Sequence, residues 1–140
     1  MRIIAHRGNL NGPDKEKENN PDYIKNAIKA GYEAEIDIWF LKNKFFLGHD
    51  NPQYEITEKF FDGSMWIHCK NLNAVEALKK TNLNWFWHQE DKLTITSLGY
   101  IWCFPNVYID DGITVNLGKK TTINKNILGI CTDYPENWRR

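Results

Sequence analysis

The stretch Glu33-Ala34-Glu35-Ile36-Asp37-Ile38-Trp39 alternates acidic and apolar side chains, the pattern of a β-strand with two unlike faces. Glu35 and Asp37, two residues apart, share one face at roughly 7 Å along the strand, while Ile36 and Ile38 point the other way. Two carboxylates on one face of an otherwise apolar strand are costly to bury unless a cation holds them. Oxygen ligands at this spacing suit a hard divalent ion such as Mg²⁺ or Ca²⁺. For this pair taken alone, a solvated strand face is the plainer alternative.

On the N-terminal side lies a helix with its own punctuation. Asn20 is the N-cap, Pro21 occupies the first helical position, Asp22 favours the positive helix end and Gly31 stops it. A second helix over Leu72 to Lys80 carries Leu72, Val75 and Leu78 at helical spacing. Besides the central strand, apolar or alternating runs at Arg2 to His6, Lys44 to His49, Met65 to Lys70, Asn84 to His88, Tyr100 to Phe104, Ile113 to Leu117 and Leu128 to Thr132 bring the expected strands to about eight. Strand-helix-strand order at two places predicts parallel strands joined by crossovers. The segments Gln89 to Gly99 and Pro105 to Gly112 are too short for helices, and 140 residues fall well below the ~250 of a full barrel. The expected fold is a single domain over residues 1–140, an abridged TIM-type (β/α) barrel with short strands and few helices.

Composition narrows the function. Eighteen basic residues balance eighteen acidic ones without a long block of either sign, which argues against nucleic-acid binding. Cys69, Cys103 and Cys131 stand far apart among apolar neighbours and read as buried free thiols. The N-terminal apolar run is too short for a signal peptide, and no segment approaches the ~20 apolar residues of a membrane span. A cytoplasmic location is the resulting expectation.

Other chemistry-bearing residues fall at strand ends. His6-Arg7-Gly8 closes the first strand, on the edge where barrel and open-sheet enzymes assemble their sites. A tight turn at Lys42-Asn43-Lys44 folds the next strand back as a hairpin, and counting six residues each way from Asn43 sets His49 opposite Asp37. Two histidines, an arginine and an acid-bound cation are what phosphodiester cleavage needs. Arg7 grips non-bridging oxygens as a planar fork, the cation offsets developing charge, and the imidazoles serve as general base and general acid. His88 at another strand end reads as structural, and Asp110 and Asp111 as turn residues.

These residues resemble the glycerophosphodiester phosphodiesterase family, within the wider phospholipase-C-like phosphodiesterases. Ile4-Ala5-His6-Arg7-Gly8 is similar to the family's opening strand, Glu18-Asn19 to its Glu-Asn motif, Glu35-Ile36-Asp37 to its Glu-x-Asp metal pair and Leu47-Gly48-His49-Asp50 to its His-Asp motif. Near the other end, Gly129 to Glu136 resembles its last strand and Thr-Asp-x-Pro turn. The resemblance implies a TIM-barrel-derived fold, a cation at Glu35 and Asp37, His6 and His49 as the acid-base pair, Arg7 on phosphate and Glu18 as an active-site carboxylate.

Two departures qualify it. His68-Cys69-Lys70 stands where the family presents Glu-x-Lys, so an imidazole takes the third metal position while Lys70 remains for phosphate. That softer donor either moves the cation preference from Mg²⁺ or Ca²⁺ toward Mn²⁺ or Zn²⁺ or simply weakens the site. The helical shell is also trimmed, which suits a small, exposed phosphodiester as substrate, or a homo-oligomer that covers the bare surface with tryptophans among its contacts. The expected activity is metal-dependent hydrolysis of glycerophosphodiesters or similar small phosphodiesters by His/His acid-base catalysis. A catalytically impaired phosphate-ester-binding protein is the alternative, prompted by His68.

Overall fold

The computed structural model describes residues 1–139. Its elements run β1 (Arg2–His6), α1 (Pro21–Lys29), β2 (Glu33–Leu41), β3 (Lys44–Leu47), β4 (Tyr54–Ile56), β5 (Met65–Cys69), α2 (Leu72–Leu78), β6 (Trp85–Phe86), β7 (Leu93–Ile95), β8 (Ile101–Pro105), β9 (Gly112–Val115) and β10 (Gly129–Thr132). Short 3-10 turns lie at Glu58–Phe60 and Pro135–Trp138.

All strands belong to one mixed sheet. Its backbone is parallel, in the order β6-β5-β2-β1-β10-β9-β8, with β7 antiparallel on β8 and the β3-β4 pair antiparallel beside β2. The sheet curls into a half-barrel, so the expected abridged TIM-type (β/α) barrel is not what forms. The reason is in the connections. A (β/α) barrel follows each strand with a helix, whereas helices here follow only β1 and β5, and about 17% of the described residues are helical. The segment from Gln89 to Gly99, expected as loop, contributes β7, and β4 is a further strand beyond the eight anticipated.

The nine-residue β2 outruns its neighbours and serves as the hub. One edge pairs with β5 from Ala34 to Ile38; the other is shared by two shorter strands. β1 pairs over Glu33 to Glu35 and leaves at Arg7, whose amide donates to the Glu35 carbonyl. β3 pairs over Ile38 to Leu41 and leaves at Gly48, whose amide donates to the Asp37 carbonyl. Carbonyls two residues apart lie on the same edge of a strand. The exits of β1 and β3 therefore meet head-on beside Glu35 and Asp37.

Side-chain alternation sorts the core into two layers. Ala34, Ile36 and Ile38 face outward with Met65, Ile67 and Cys69, covered by Ile24 of α1, Ala74 and Leu78 of α2 and the hairpin's Phe45 and Leu47. Ile4, Trp66, Phe86, Trp102, Ile113, Val115 and Cys131 fill the concave side. All three cysteines are free and buried. At the strands' N-terminal end, Arg2 pairs with Glu33 at 2.8 Å and lies over the Trp66 and Tyr100 rings, closing that end.

The helices are capped as their sequences require. The Asn20 side chain accepts from the Asp22 and Tyr23 amides, and Gly31 takes φ 98° just past α1. Asn71 accepts from the Ala74 amide and also exchanges hydrogen bonds with the Phe40 backbone, which ties the start of α2 to the far end of β2.

The outer apolar face of β2 is thus the anchor for the strand that carries the acids. Replacing Ile36, fully buried in that layer, by alanine is expected to cost about 2–5 kcal/mol in urea unfolding.

Candidate active site

Strand exits bring His6, Arg7, Glu35, Asp37, His49 and His68 around one cavity of about 160 Å³, whose remaining wall includes His88, Trp102, Phe104, Val115 and Leu117. Three of them converge closely. One ligand atom each from Glu35, Asp37 and His68 lies within 4.8 Å of the others. The parallel register of β2 and β5 causes this, since it sets Asp37 beside His68 on the concave face.

The geometry fixes what each donor can do. His68 Nε2 is 2.9 Å from the His88 carbonyl oxygen, and a carbonyl only accepts, so this nitrogen carries the hydrogen. Nδ1 therefore faces the acids, 3.3 Å from Asp37 Oδ1 and 3.8 Å from Glu35 Oε1, and in the neutral ring it offers them a lone pair. Asp37 is fully buried, and its Oδ1 has no hydrogen-bond partner. Its Oδ2 accepts from Asn19 Nδ2 at 2.9 Å and lies 3.3 Å from Arg7 Nε, while its backbone amide donates to Asn19 Oδ1. An unpartnered buried carboxylate oxygen, a second buried acid and an imidazole lone pair aimed at one point fit a divalent cation.

Proton affinities reflect the same crowding. Burial, followed by the Asp37 charge, pushes the Glu35 carboxyl up to about 7. Burial also opposes ionisation of Asp37, but His68, which in its protonated form turns an Nδ1–H and a positive charge toward it, and then Arg7 and Asn19, outweigh it and hold Asp37 below the usual range. Burial alone would lower His6 and His68. The Asp133 partner raises the first and Asp37 the second, so both end above an ordinary histidine.

His6 is held by a chain of buried groups. Its Nδ1 donates to Asp133 Oδ1 at 2.7 Å, the same oxygen accepts from Asn9 Nδ2 at 2.9 Å, and Tyr23 donates its hydroxyl to Asn9 Oδ1. With Nδ1 committed to a carboxylate, Nε2 is the nitrogen left for chemistry, 3.9 Å from Glu35 Oε2. Arg7 has φ 54°, a conformation rare for non-glycine residues, and its amide lies 3.2 Å from Glu35 Oε2 while its Nη1 lies 3.3 Å from Glu18 Oε2.

Of the other expected residues, His49 lies at the rim of this cavity, and Lys70 and Glu18 lie outside it. Lys42 and Asn43 both have positive φ and form a two-residue turn, which pairs Ile38 with Leu47 and sets Gly48, not His49, opposite Asp37. His49 instead sits at the cavity mouth, 38% exposed, with Nδ1 2.6 Å from Asp50. Lys70 follows β5 and does not line the cavity; together with the His49 hydrogen bond it helps hold the exposed Asp50 carboxyl low. Glu18 is buried against Arg7, on the far side from the apolar wall.

Asn9 and Tyr23 join the site without having been singled out, and Asn19 and Asp133, quoted above only as parts of motifs, take contacts there. Asp133 directly follows β10, whose register with β1 sets Thr132 beside Ala5 and so brings Asp133 to His6. Asn19, at φ 63°, is a residue type that tolerates the left-handed region.

Protein families, curated proteins and solved structures give no match to this chain. Among the described residues, no helix is long and apolar enough to cross a membrane.

The shifted groups set a pH dependence. Glu35 binds its proton more tightly folded than at the ordinary 4.5, and His6 and His68 more tightly than at 6.5. Their contribution to stability is complete below those ordinary values and is lost as pH rises through the folded ones. Asp37 acts oppositely, losing its contribution only as pH falls below the ordinary 3.8. Metal-free protein is therefore expected to melt at a lower temperature at pH 8 than at pH 5. A saturating divalent cation should recover the loss at pH 8, and Glu35→Gln should flatten the profile, as read by calorimetry.

Proposed function

We propose that this protein is a metal-dependent phosphodiester hydrolase acting on glycerophosphodiesters or similar small phosphodiesters. The observation that carries the reading is the convergence of Glu35, Asp37 and His68 beside a histidine whose free Nε2 opens on the same cavity. The sequence resemblance to glycerophosphodiester phosphodiesterases supports it at the level of the site, without the barrel that the resemblance implied.

Glu35, Asp37 and His68 would hold one divalent cation, Mg²⁺ or Ca²⁺ by their oxygens, or Mn²⁺ or Zn²⁺ given the imidazole. When bound, it lends positive charge to the phosphoryl oxygens as the diester is attacked. His6 Nε2, oriented by Asp133, takes as general base the proton of the attacking water, or of a neighbouring substrate hydroxyl whose attack gives a cyclic phosphate that water then opens to the phosphomonoester. His49, at the mouth and hydrogen-bonded to Asp50, gives a proton to the leaving oxygen. Arg7, already neutralised in part by Glu18 and Asp37, presents its guanidinium to the phosphate from the gap between the strand ends. Lys70, outside the cavity, serves at most the approach of the anion. Trp102, Phe104 and Leu117 form an apolar wall on the other side of the cavity.

Purified protein incubated with glycerophosphocholine and related diesters, with Mg²⁺, Ca²⁺, Mn²⁺ or a chelator, is expected to release a phosphomonoester only with a cation. His6→Ala should lower kcat/KM by about 10²–10⁴. Cation binding without release from any diester would instead favour a phosphate-ester-binding protein.

A further inference from the structure

One of the six tryptophans, Trp39, donates its indole N–H to the backbone next to His49. By strand alternation it lies on the same face of β2 as Glu35 and Asp37, one step further along. It lines neither of the two cavities between which Arg7 and His49 stand. The first of these is the site cavity with its apolar wall. The second, also about 160 Å³, opens on the other side of Arg7 and His49 and has only polar and charged side chains in its wall.

His49 belongs to the loop from Gly48 to Gln53 that joins β3 to β4. Its tip is exposed from Asp50 to Gln53, and the loop is held at its base. The Gln53 amide donates to the Leu47 carbonyl, and the Gly48 amide to the Asp37 carbonyl at 3.1 Å. The Gly48 carbonyl accepts from Trp39 Nε1 at 2.7 Å. The two Gly48 groups belong to the peptide planes on either side of its Cα. Glycine turns freely in φ and ψ, and peptide groups are rigid planes. Fixing both planes therefore fixes the direction in which the chain enters His49. A larger residue cannot stand there in place of the hydrogen bonds, because a Cβ on Gly48 would collide with the Asn51 carbonyl.

We infer that Trp39 is a positioning residue for His49: its indole N–H sets the Gly48–His49 peptide plane and so aims the imidazole at the leaving oxygen. The inference rests on the hydrolase reading, in which His49 is the general acid. Asp50 holds Nδ1 of the ring at 2.6 Å and leaves Nε2 for the proton transfer. Of the three bonds at the loop base, only the one from Trp39 comes from a side chain. Without it the Gly48 carbonyl loses its partner and the peptide plane is free to turn. Proton transfer needs heavy atoms within about 2.6–3.2 Å, and a displacement of ~1 Å is enough to lose it. His6, Asp37 and His68 are held by Asp133, Asn19 and the His88 carbonyl, none of which depends on Trp39.

Two diesters of glycerol phosphate, one with ethanol and one with p-nitrophenol as the leaving alcohol, separate loss of the acid from general damage. Ethoxide needs a proton as it departs, whereas nitrophenolate is stable near neutrality and leaves without one. With Mg²⁺ or Mn²⁺ present, Trp39→Phe is expected to lower kcat/KM for the ethyl diester by about 10–100-fold and for the nitrophenyl diester by less than about twofold. His49→Ala should show the same selectivity, more deeply. 3-Benzothienylalanine at position 39 keeps the fused rings and lacks only the N–H, and should reproduce Trp39→Phe. An unchanged ethyl diester in both position-39 variants, an equal loss of both diesters in the benzothienyl protein, or a His49→Ala protein without selectivity would overturn the inference and leave hydrolysis standing. Cleavage of neither diester by the unaltered protein would overturn the hydrolase reading, and the inference with it.

Discussion

Glu35 and Asp37 are carboxylates buried on the same face of one strand, and two like charges in such a place cannot both ionise without compensation. The surrounding structure supplies it from several directions. Arg7 reaches Asp37 from the exit of β1, His68 from β5, and Asn19 from the turn before α1, while His6 stands over Glu35. Asp37 is thereby kept ionised and Glu35 is left near neutrality. When His68 is neutral, Asp37 Oδ1 is left without a hydrogen-bond partner, and that is where the His68 lone pair then points. The acid pair thus asks for one more positive charge at a defined place.

That demand couples the fold to the site. β2 can present its acids only because its other face is held by aliphatic contacts from both helices and the hairpin. The same strand accepts β1 and β3 end to end on a single edge, and this discontinuity creates the gap in which Arg7 and His49 sit between two cavities of opposite character. Groups at the opposite end, Arg2, Glu33, Trp66 and Tyr100, pair among themselves and close the sheet's base. The candidate site lies at the other end of the strands.

Much of this was legible from local pattern. The eight strands with apolar or alternating runs form, Asn20 caps α1, and the Glu35–Asp37 alternation announces two acids on one face. What escaped depended on distant pairing. β4 and β7 are three-residue strands with exposed positions, held by antiparallel neighbours rather than by a pattern of their own. The barrel expectation failed because the runs that mark strands, and connections already seen to be too short for helices, do not reveal that the sheet stays open, ending at β6 on one side and at the antiparallel β7 on the other. His49 was set one residue out of register, since the turn is Lys42-Asn43 alone rather than centred on Asn43. Asp133 lies 127 residues from His6 and meets it only through the β1-β10 ladder.

The measurement that bears most directly on this account is anomalous X-ray diffraction from crystals soaked in Mn²⁺. The account predicts one dominant anomalous peak bounded by Glu35 Oε1, Asp37 Oδ1 and His68 Nδ1, with the His68 Nε2 contact to the His88 carbonyl retained. Saturating Mn²⁺ that leaves this point empty, with Asp37 still paired to Arg7 and Asn19, would show that the side chains already present satisfy the acids and would contradict the claim.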